Sequence, residues 1–150
     1  MKSIRPAEQN DLIRISEIEV FNYRLNFYPI FQDDEFYFKE YTTEALTETY
    51  KMNPDMVQNT FVFDDGCVKG FIRVREGVIQ KLFVEPVLQG LGIGDKLLTF
   101  AVEEKSAKML WALEKNTRAI AFYEKHGFLK TGDKMLEDDT DEYLIRLERR

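Results

Sequence analysis

Between Gln89 and Lys96 the chain reads QGLGIGDK, with glycine at 90, 92 and 94. The preceding run, GVIQKLFVEP, is strand-like. In the following run Leu97, Leu98, Ala101 and Val102 fall on one face of a helix starting near Asp95 and reaching Lys105. A glycine-rich turn that enters a helix suits an anion. The first N–H groups of a helix lack intrahelical acceptors and lie at the positive end of its dipole, which attracts an anion by roughly 0.3–1 kcal/mol. Residues without a Cβ let a phosphate reach that backbone. The implied chemistry is pyrophosphate binding by main-chain donors. Two common phosphate loops do not fit. A Walker loop needs GxxxxGK[ST], but Lys96 is followed by Leu97, which leaves no hydroxyl for magnesium. A dinucleotide loop needs GxGxxG, and Asp95 stands where its third glycine belongs. The spacing that fits is Q-x-x-G-x-G, at Gln89, Gly92 and Gly94.

The elements around this loop follow from periodicity and turn chemistry. Ser3 to Ala7 reads as a first strand closed by Pro6. Asn10 or Asp11 can cap a helix carrying Leu12, Ile13, Ile15, Ile18 and Val20. From Phe21 to Tyr41, nine of 21 residues are aromatic, and Asp33, Asp34 and Glu35 form an acidic run. A second helix is expected over Thr43 to Tyr50. Asp65-Gly66 signals a hairpin and Gly77 a further turn, giving three antiparallel strands between Asn59 and Pro86. Lys108 to Leu113 reads as a buried strand, and Thr117 to His126 as a helix ended by Gly127. Two closing strands flank an acidic turn. The order β-α-α-β-β-β-α-β-α-β-β indicates a mixed α/β (α+β) fold in one domain spanning residues 1–150.

Composition narrows the function. The chain has 150 residues, enough for one core. A single cysteine, Cys67, excludes an intramolecular disulfide, and a single histidine, His126, excludes a histidine-rich metal site. No metal is implied. A net charge of −6 argues against nucleic acid as a partner. No apolar run reaches the length of a membrane span, and the N-terminal residues lack a signal-peptide core, so a cytoplasmic location is expected.

The loop also resembles the acetyl-CoA-binding motif of the GCN5-related N-acetyltransferase (GNAT) superfamily. KLFVEPVLQGLGIG is similar to that family's L-x-V-x-P-x-x-Q-G-x-G-I-G, with Leu82, Val84, Pro86, Gln89, Gly90, Gly92, Ile93 and Gly94 in register. NTRAIAFYEKHGF resembles its N-x-x-A-x-x-F-Y-x-x-x-G-F, with Asn116, Ala119, Phe122, Tyr123, Gly127 and Phe128 in register. The resemblance implies a mostly antiparallel sheet flanked by helices, V-shaped where strands 4 and 5 part. It implies transfer of an acyl group, acetyl above all, from acyl-CoA to a primary amine by direct attack in a ternary complex. Acetyl-CoA, the co-substrate, would be held by Leu82, Phe83, Val84, Gln89, Gly90, Leu91, Gly92, Ile93, Gly94, Asp95, Asn116, Ala119, Phe122 and Tyr123. The resemblance implies catalytic roles for Tyr123, which would protonate the thiolate, and for Val84, whose N–H would face the thioester oxygen at a strand-ending bulge.

Each residue also has a plainer reading. Tyr123 suits a helix core, Asn116 or Thr117 a helix cap, His126 a helix end, and Cys67 a small buried position. Lys115, Arg118 and Lys125 are either contacts to a CoA phosphate or solvated charges. The glutamate that many members carry early on strand 4 has no counterpart at Val78 to Gln80, which leaves Glu85, Glu114, a water chain or an amine that arrives neutral. The aromatic segment would wall the acceptor side, and its acidic run favours a small cationic amine. A protein acceptor remains open, as does a non-catalytic acyl-CoA sensor or partner-binding module. Monomer and homodimer are both allowed.

Overall fold

A computed structural model of the chain describes residues 3–150. Its strands are β1 Ile4–Pro6, β2 Thr60–Asp64, β3 Val68–Arg75, β4 Val78–Val84, β5 Met109–Leu113, β6 Phe128–Leu136 and β7 Tyr143–Arg149. They form one sheet in the order β1-β2-β3-β4-β5-β7-β6. All neighbours are antiparallel except β4 and β5. The helices are α1 Leu12–Asn26, α2 Tyr28–Phe31, α3 Thr43–Lys51, α4 Pro54–Gln58, α5 Ile93–Lys105 and α6 Thr117–Lys125.

The period-2 alternation of the strands divides the core between two faces. Val62 and Phe71 pack with Leu12, Ile15 and Ile18 of α1 and Leu46 and Tyr50 of α3. Phe61, Phe63, Ile72 and Val74 point the other way, onto Leu97, Leu98 and Ala101 of α5 and Ile120 and Tyr123 of α6. Gly70 permits the close seating of α5. A Cβ there would lie 3.0 Å from the Phe83 carbonyl and 3.2 Å from Leu97.

Asp11 begins α1, as expected, but works as part of a larger clasp. Its carboxylate accepts the Glu8 N–H at 2.8 Å and two bonds from the Arg5 guanidinium, which also holds Asp64. The start of the helix is thereby fastened to β1 and β2. Three expectations are corrected. The helix runs on past Val20, the last residue expected on its face, to Asn26, and takes the first six residues of the aromatic segment with it. Ile13 faces solvent rather than the core. Cys67 is exposed, because the tight Asp64–Cys67 turn lifts it off the sheet. Among the described residues no helix is long and apolar enough to cross a membrane.

Candidate functional site

The parallel pair is short. β4 and β5 register only at Val78↔Met109 and Ile79↔Leu110. Against β3 the register slips by one between Arg73↔Lys81 and Val74↔Ile79, which makes Gln80 a bulged residue. The bulge lies in the middle of β4 rather than at its end, and β4 and β5 part where it begins, after Ile79. Glu85 donates its N–H to Lys69 of β3. Alternation along an antiparallel ladder then turns the N–H and C=O of Val84 and Leu82 away from β3, toward the gap. The Val84 carbonyl is already bonded, by Asn22 Nδ2 at 2.9 Å and Gln89 Nε2 at 3.2 Å. What Val84 offers the gap is its N–H.

Two cavities meet at this parting and share Leu82, Phe83, Asn116, Ala119 and Tyr123. The first, about 340 Å³, runs past Gln89, Gly90, Gly92, Gly94 and Asp95. Gly90 and Gly92 have φ of 85° and 90°, and a Cβ on either would meet no heavy atom within 4 Å. The open side of the loop therefore has room for a ligand against its backbone. The first N–H groups of α5, from Ile93, Gly94 and Asp95, have no acceptor within the helix. Arg118 and Lys125 line the same cavity and add positive charge. Asp95, an adverse charge for a phosphate, is engaged by the His126 ring at 2.9 Å.

The other cavity, about 590 Å³, lies on the far side of Tyr123. Tyr23, Phe27, Phe31, Phe36 and Tyr37 of the aromatic segment wall it. Asp33 stands at its lining with Glu137, Asp138 and Asp139 from the turn between β6 and β7. Among the described residues that line it, Lys81 is the one cation. The acidic run contributes only Asp33: Asp34 accepts from the Tyr28 hydroxyl and Glu35 pairs with Lys39.

Tyr123 sits at the waist between the cavities, its ring edge-on to Phe122 and Phe128. Burial pushes its phenol well above the usual range, so the hydroxyl keeps its proton. Asn116 both caps α6, accepting the Ala119 N–H, and lines the two cavities. The side chains of Leu91 and Ile93 are not brought to either cavity. Leu91 is exposed and Ile93 is buried in the core, so any contact they make to a ligand is through backbone. Gln89 turns its amide inward to Asn22 Oδ1 at 3.0 Å, where it anchors the loop rather than presenting a donor. The substitutes for the base are spoken for: Glu85 pairs with Arg14 at 2.9 Å and Glu114 with Lys134 at 3.0 Å, and neither lines a cavity. Lys115 pairs with Glu142. Asn22, Asn26 and Leu88 join the glycine-loop cavity without any prior sequence signal. Among the described residues no group of histidine, cysteine and carboxylate side chains could hold a metal.

Comparison with known proteins agrees with this geometry. Residues 57–130 match the family model described as the acetyltransferase (GNAT) domain. The chain is 35% identical over 72 residues to the peptidyl-lysine N-acetyltransferase YiaC of Escherichia coli, covering 47% of this chain and 49% of that protein. It is 33% identical over 69 residues to the peptidyl-lysine N-acetyltransferase YjaB of Salmonella typhimurium, covering 46% and 48%. The chain thus spans about half the length of these curated relatives. In fold it is similar to an N-acetyltransferase from Staphylococcus aureus Mu50, at a TM-score of 0.76 and 16% identity over 97% of this chain and 98% of that one. It is likewise similar to the PaiA N-acetyltransferase of Thermoplasma acidophilum in complex with coenzyme A, at 0.66 and 19% over 97% of each. The parted β4 and β5, the glycine loop opening α5 and the matched domain model have one common explanation: the chain belongs to the GCN5-related N-acetyltransferase superfamily.

Proposed function

We propose that residues 1–150 act as one N-acyltransferase domain that moves an acyl group, most simply acetyl, from acyl-CoA to a primary amine by direct attack in a ternary complex. The observation that carries this reading is the meeting of two cavities at a buried tyrosine across parted strands. Gly90, Gly92 and the N–H groups of Ile93, Gly94 and Asp95 would hold the pyrophosphate, with Arg118 and Lys125 adding charge. Leu82, Phe83, Asn116, Ala119 and Phe122 would border the pantetheine arm. The co-substrate supplies an activated thioester. The Val84 N–H, free of β5, is aimed to stabilise negative charge developing on the acyl oxygen. Tyr123 holds a proton for the departing sulfur.

The acceptor cavity favours a cation. Carboxylates reach it from two separate parts of the chain, and aromatic side chains line it with them. A lysine side chain meets this description as well as a small cationic amine does. The peptidyl-lysine activity of the two relatives favours the former, so a lysine in a polypeptide is the second reading of the acceptor.

The test is calorimetric titration with acetyl-CoA and CoA, followed by thiol release with a panel of amines that includes lysine peptides. Micromolar binding with amine-dependent thiol release supports the reading. Binding without turnover points to an acyl-CoA sensor, and absence of binding sinks the assignment.

A further inference from the structure

The larger cavity holds charges of both signs that do not meet. Asp33, Glu137, Asp138 and Asp139 line it together with Lys81. Among the described residues no carboxylate pairs with Lys81, although Lys39, Lys51, Lys69, Lys115 and Lys134 each have one. The Lys81 ammonium instead donates to the Tyr23 hydroxyl and lies 4.8 Å from the centre of that ring. That bond uses one of its three donors.

Gln80 stands beside Lys81 because of the bulge. Ile79 and Leu82 both pack into the core shared with α5 and α6, though they are three positions apart. Strict alternation would send them to opposite faces. The bulge absorbs the difference, and Gln80 and Lys81 both turn to the α1 side, where they bond Arg73 and Tyr23. The direction of the Gln80 amide is fixed as well. Arg73 carries donors only, so its Nε bond at 3.1 Å is to the Gln80 oxygen, which leaves the two amide N–H donors for the cavity that Gln80 lines. Arg73 is 6% exposed and does not line the cavity. Its Nη1 donates to the Tyr50 hydroxyl at 2.9 Å, and Tyr50 donates at 2.7 Å to Glu19, which is 2% exposed. Tyr41 donates to the other Glu19 oxygen. A buried charge network of this kind is a weak source of stability. What it secures here is the orientation of one amide.

We propose that Lys81 and Gln80 form a carboxylate subsite in the acceptor cavity, so that the acceptor is an amino acid rather than an amine without an acid group. The proposal rests on the acyltransferase reading and names its acceptor class. An ammonium and an amide side by side on one strand suit the two oxygens of a carboxylate. The place suits the reaction too. Lys81 precedes Leu82 and Phe83, which border both cavities, and the Tyr23 ring that it bonds lies 5.8 Å from the ring of Phe83. A carboxylate held there leaves the amine that belongs to it next to that shared border. It also offsets the charge of Lys81, which would otherwise repel an arriving ammonium. The acidic rim then receives a second cation, so a basic amino acid answers every charged wall of the cavity.

The test uses the full chain, acetyl-CoA, L-lysine and L-lysinamide, which differ only in carrying a carboxylate or a neutral amide. The α-amine of lysinamide is the less protonated, so near neutral pH a preference for lysine must come from the protein. Thiol release should show a kcat/KM roughly tenfold or more higher for lysine. In Lys81→Met that ratio should fall by about 10- to 100-fold, through a higher KM for lysine. Lys81→Arg should keep it. Gln80→Glu still gives Arg73 an oxygen but replaces the donors by a negative charge, so it should lower the ratio too. Melting curves check that the variants are folded. Equal kcat/KM for lysine and lysinamide in wild type overturns the proposal, as does a ratio that folded Lys81→Met and Gln80→Glu leave in place. Faster transfer to Nα-acetyl-lysine methylamide than to lysine overturns it in favour of a polypeptide acceptor. Failure of the acyltransferase reading would look different: no amine releases thiol. Ligand-observed NMR then decides the subsite, since lysine should bind wild type more tightly than lysinamide and lose that advantage in Lys81→Met; equal binding overturns it.

Discussion

Gly92 allows ligand binding to be separated from backbone strain. Its φ of 90° lies in the left-handed region, so Gly92→Ala should cost roughly 1–2 kcal/mol in stability. For a chain of this size that is a fall of about 2–8 °C in Tm. The added methyl group meets no heavy atom within 4 Å, so the protein itself raises no further objection. Gly132 is the matched control: its φ is 96°, its Cβ position is equally open, and it lies on β6 away from both cavities. Gly132→Ala should lower Tm similarly and leave CoA binding unchanged. Gly92→Ala should weaken CoA in calorimetry by about 10- to 100-fold, the effect of losing one charge-assisted N–H bond of roughly 1.5–3 kcal/mol. Gly92→Asp adds repulsion. At a separation of roughly 6 Å and an effective dielectric of about 20, each phosphate charge contributes about 3 kcal/mol, or roughly another hundredfold. Equal CoA affinity in Gly92→Ala, Gly92→Asp and wild type would refute the idea that the loop receives a pyrophosphate.

The remaining predictions concern the waist, the rim, the loop anchor and pH. Tyr123→Phe should lower kcat by roughly 10²- to 10⁴-fold while CoA affinity stays within about twofold; unchanged kcat would remove the tyrosine from the chemistry. Replacing Asp33, Glu137, Asp138 and Asp139 with their amides should raise the KM of a cationic amine at low salt, about tenfold if each carboxylate contributes some 0.3 kcal/mol, and less at high salt. KM values that ignore both changes would dismiss the rim. Asn22→Ala leaves the Val84 carbonyl short of a donor and should cost about 1–3 kcal/mol in urea unfolding, with weaker CoA binding as the loop loosens. Arg5 beside Asp11 holds that carboxyl below its usual range, so its stabilisation is present above the ordinary carboxylate pKa and lost as pH falls through the folded value. Asp11→Asn should flatten the acid limb of a Tm–pH curve. Burial raises the phenols of Tyr41, Tyr50 and Tyr123, and takes Tyr37 to about 12. Stability should therefore hold up to the ordinary phenol pKa of about 10 and decline above it, as unfolded tyrosines ionise first; Tyr50→Phe should reduce that decline.

The legible parts of this chain are those whose causes are local. A left-handed glycine before a helix, the Asn116 cap and the Gly127 stop each act within a few residues, so the loop, α5 and α6 could be read directly. The illegible parts join distant residues. Asn22 meets the Val84 carbonyl across 62 positions and Gln89 across 67, and nothing near residue 22 announces either bond. Glu19 is hidden for the same reason, since its partners stand 22 and 31 positions away. The bulge at Gln80 depends on the register with β3, and β4 alone does not disclose it. The rim is assembled from residues 33 and 137–139, which become neighbours only when the strands are placed. Two candidates for the base, Glu85 and Glu114, failed because proximity along the chain to parted strands says nothing of the arginine and lysine that claim them.

These long-range bonds also account for how the site keeps its geometry with a sheet broken at its centre. Beyond Ile79, β4 has lost the support of β5 on one side. A strand so released would ordinarily sway, since its outward groups have no partner. Here its end is held by three attachments. Glu85 bonds back to Lys69 of β3, Arg14 of α1 grips Glu85, and Asn22 of α1 bonds the Val84 carbonyl. Gln89 joins Asn22 at that carbonyl, so the glycine loop hangs from the same point. The helix that carries Asn22 also carries Glu19 and Tyr23. One helix therefore sets the glycine loop, the end of β4 and the aromatic wall of the larger cavity relative to one another, and Asn22 and Tyr23 lie on the part of α1 that runs beyond Val20.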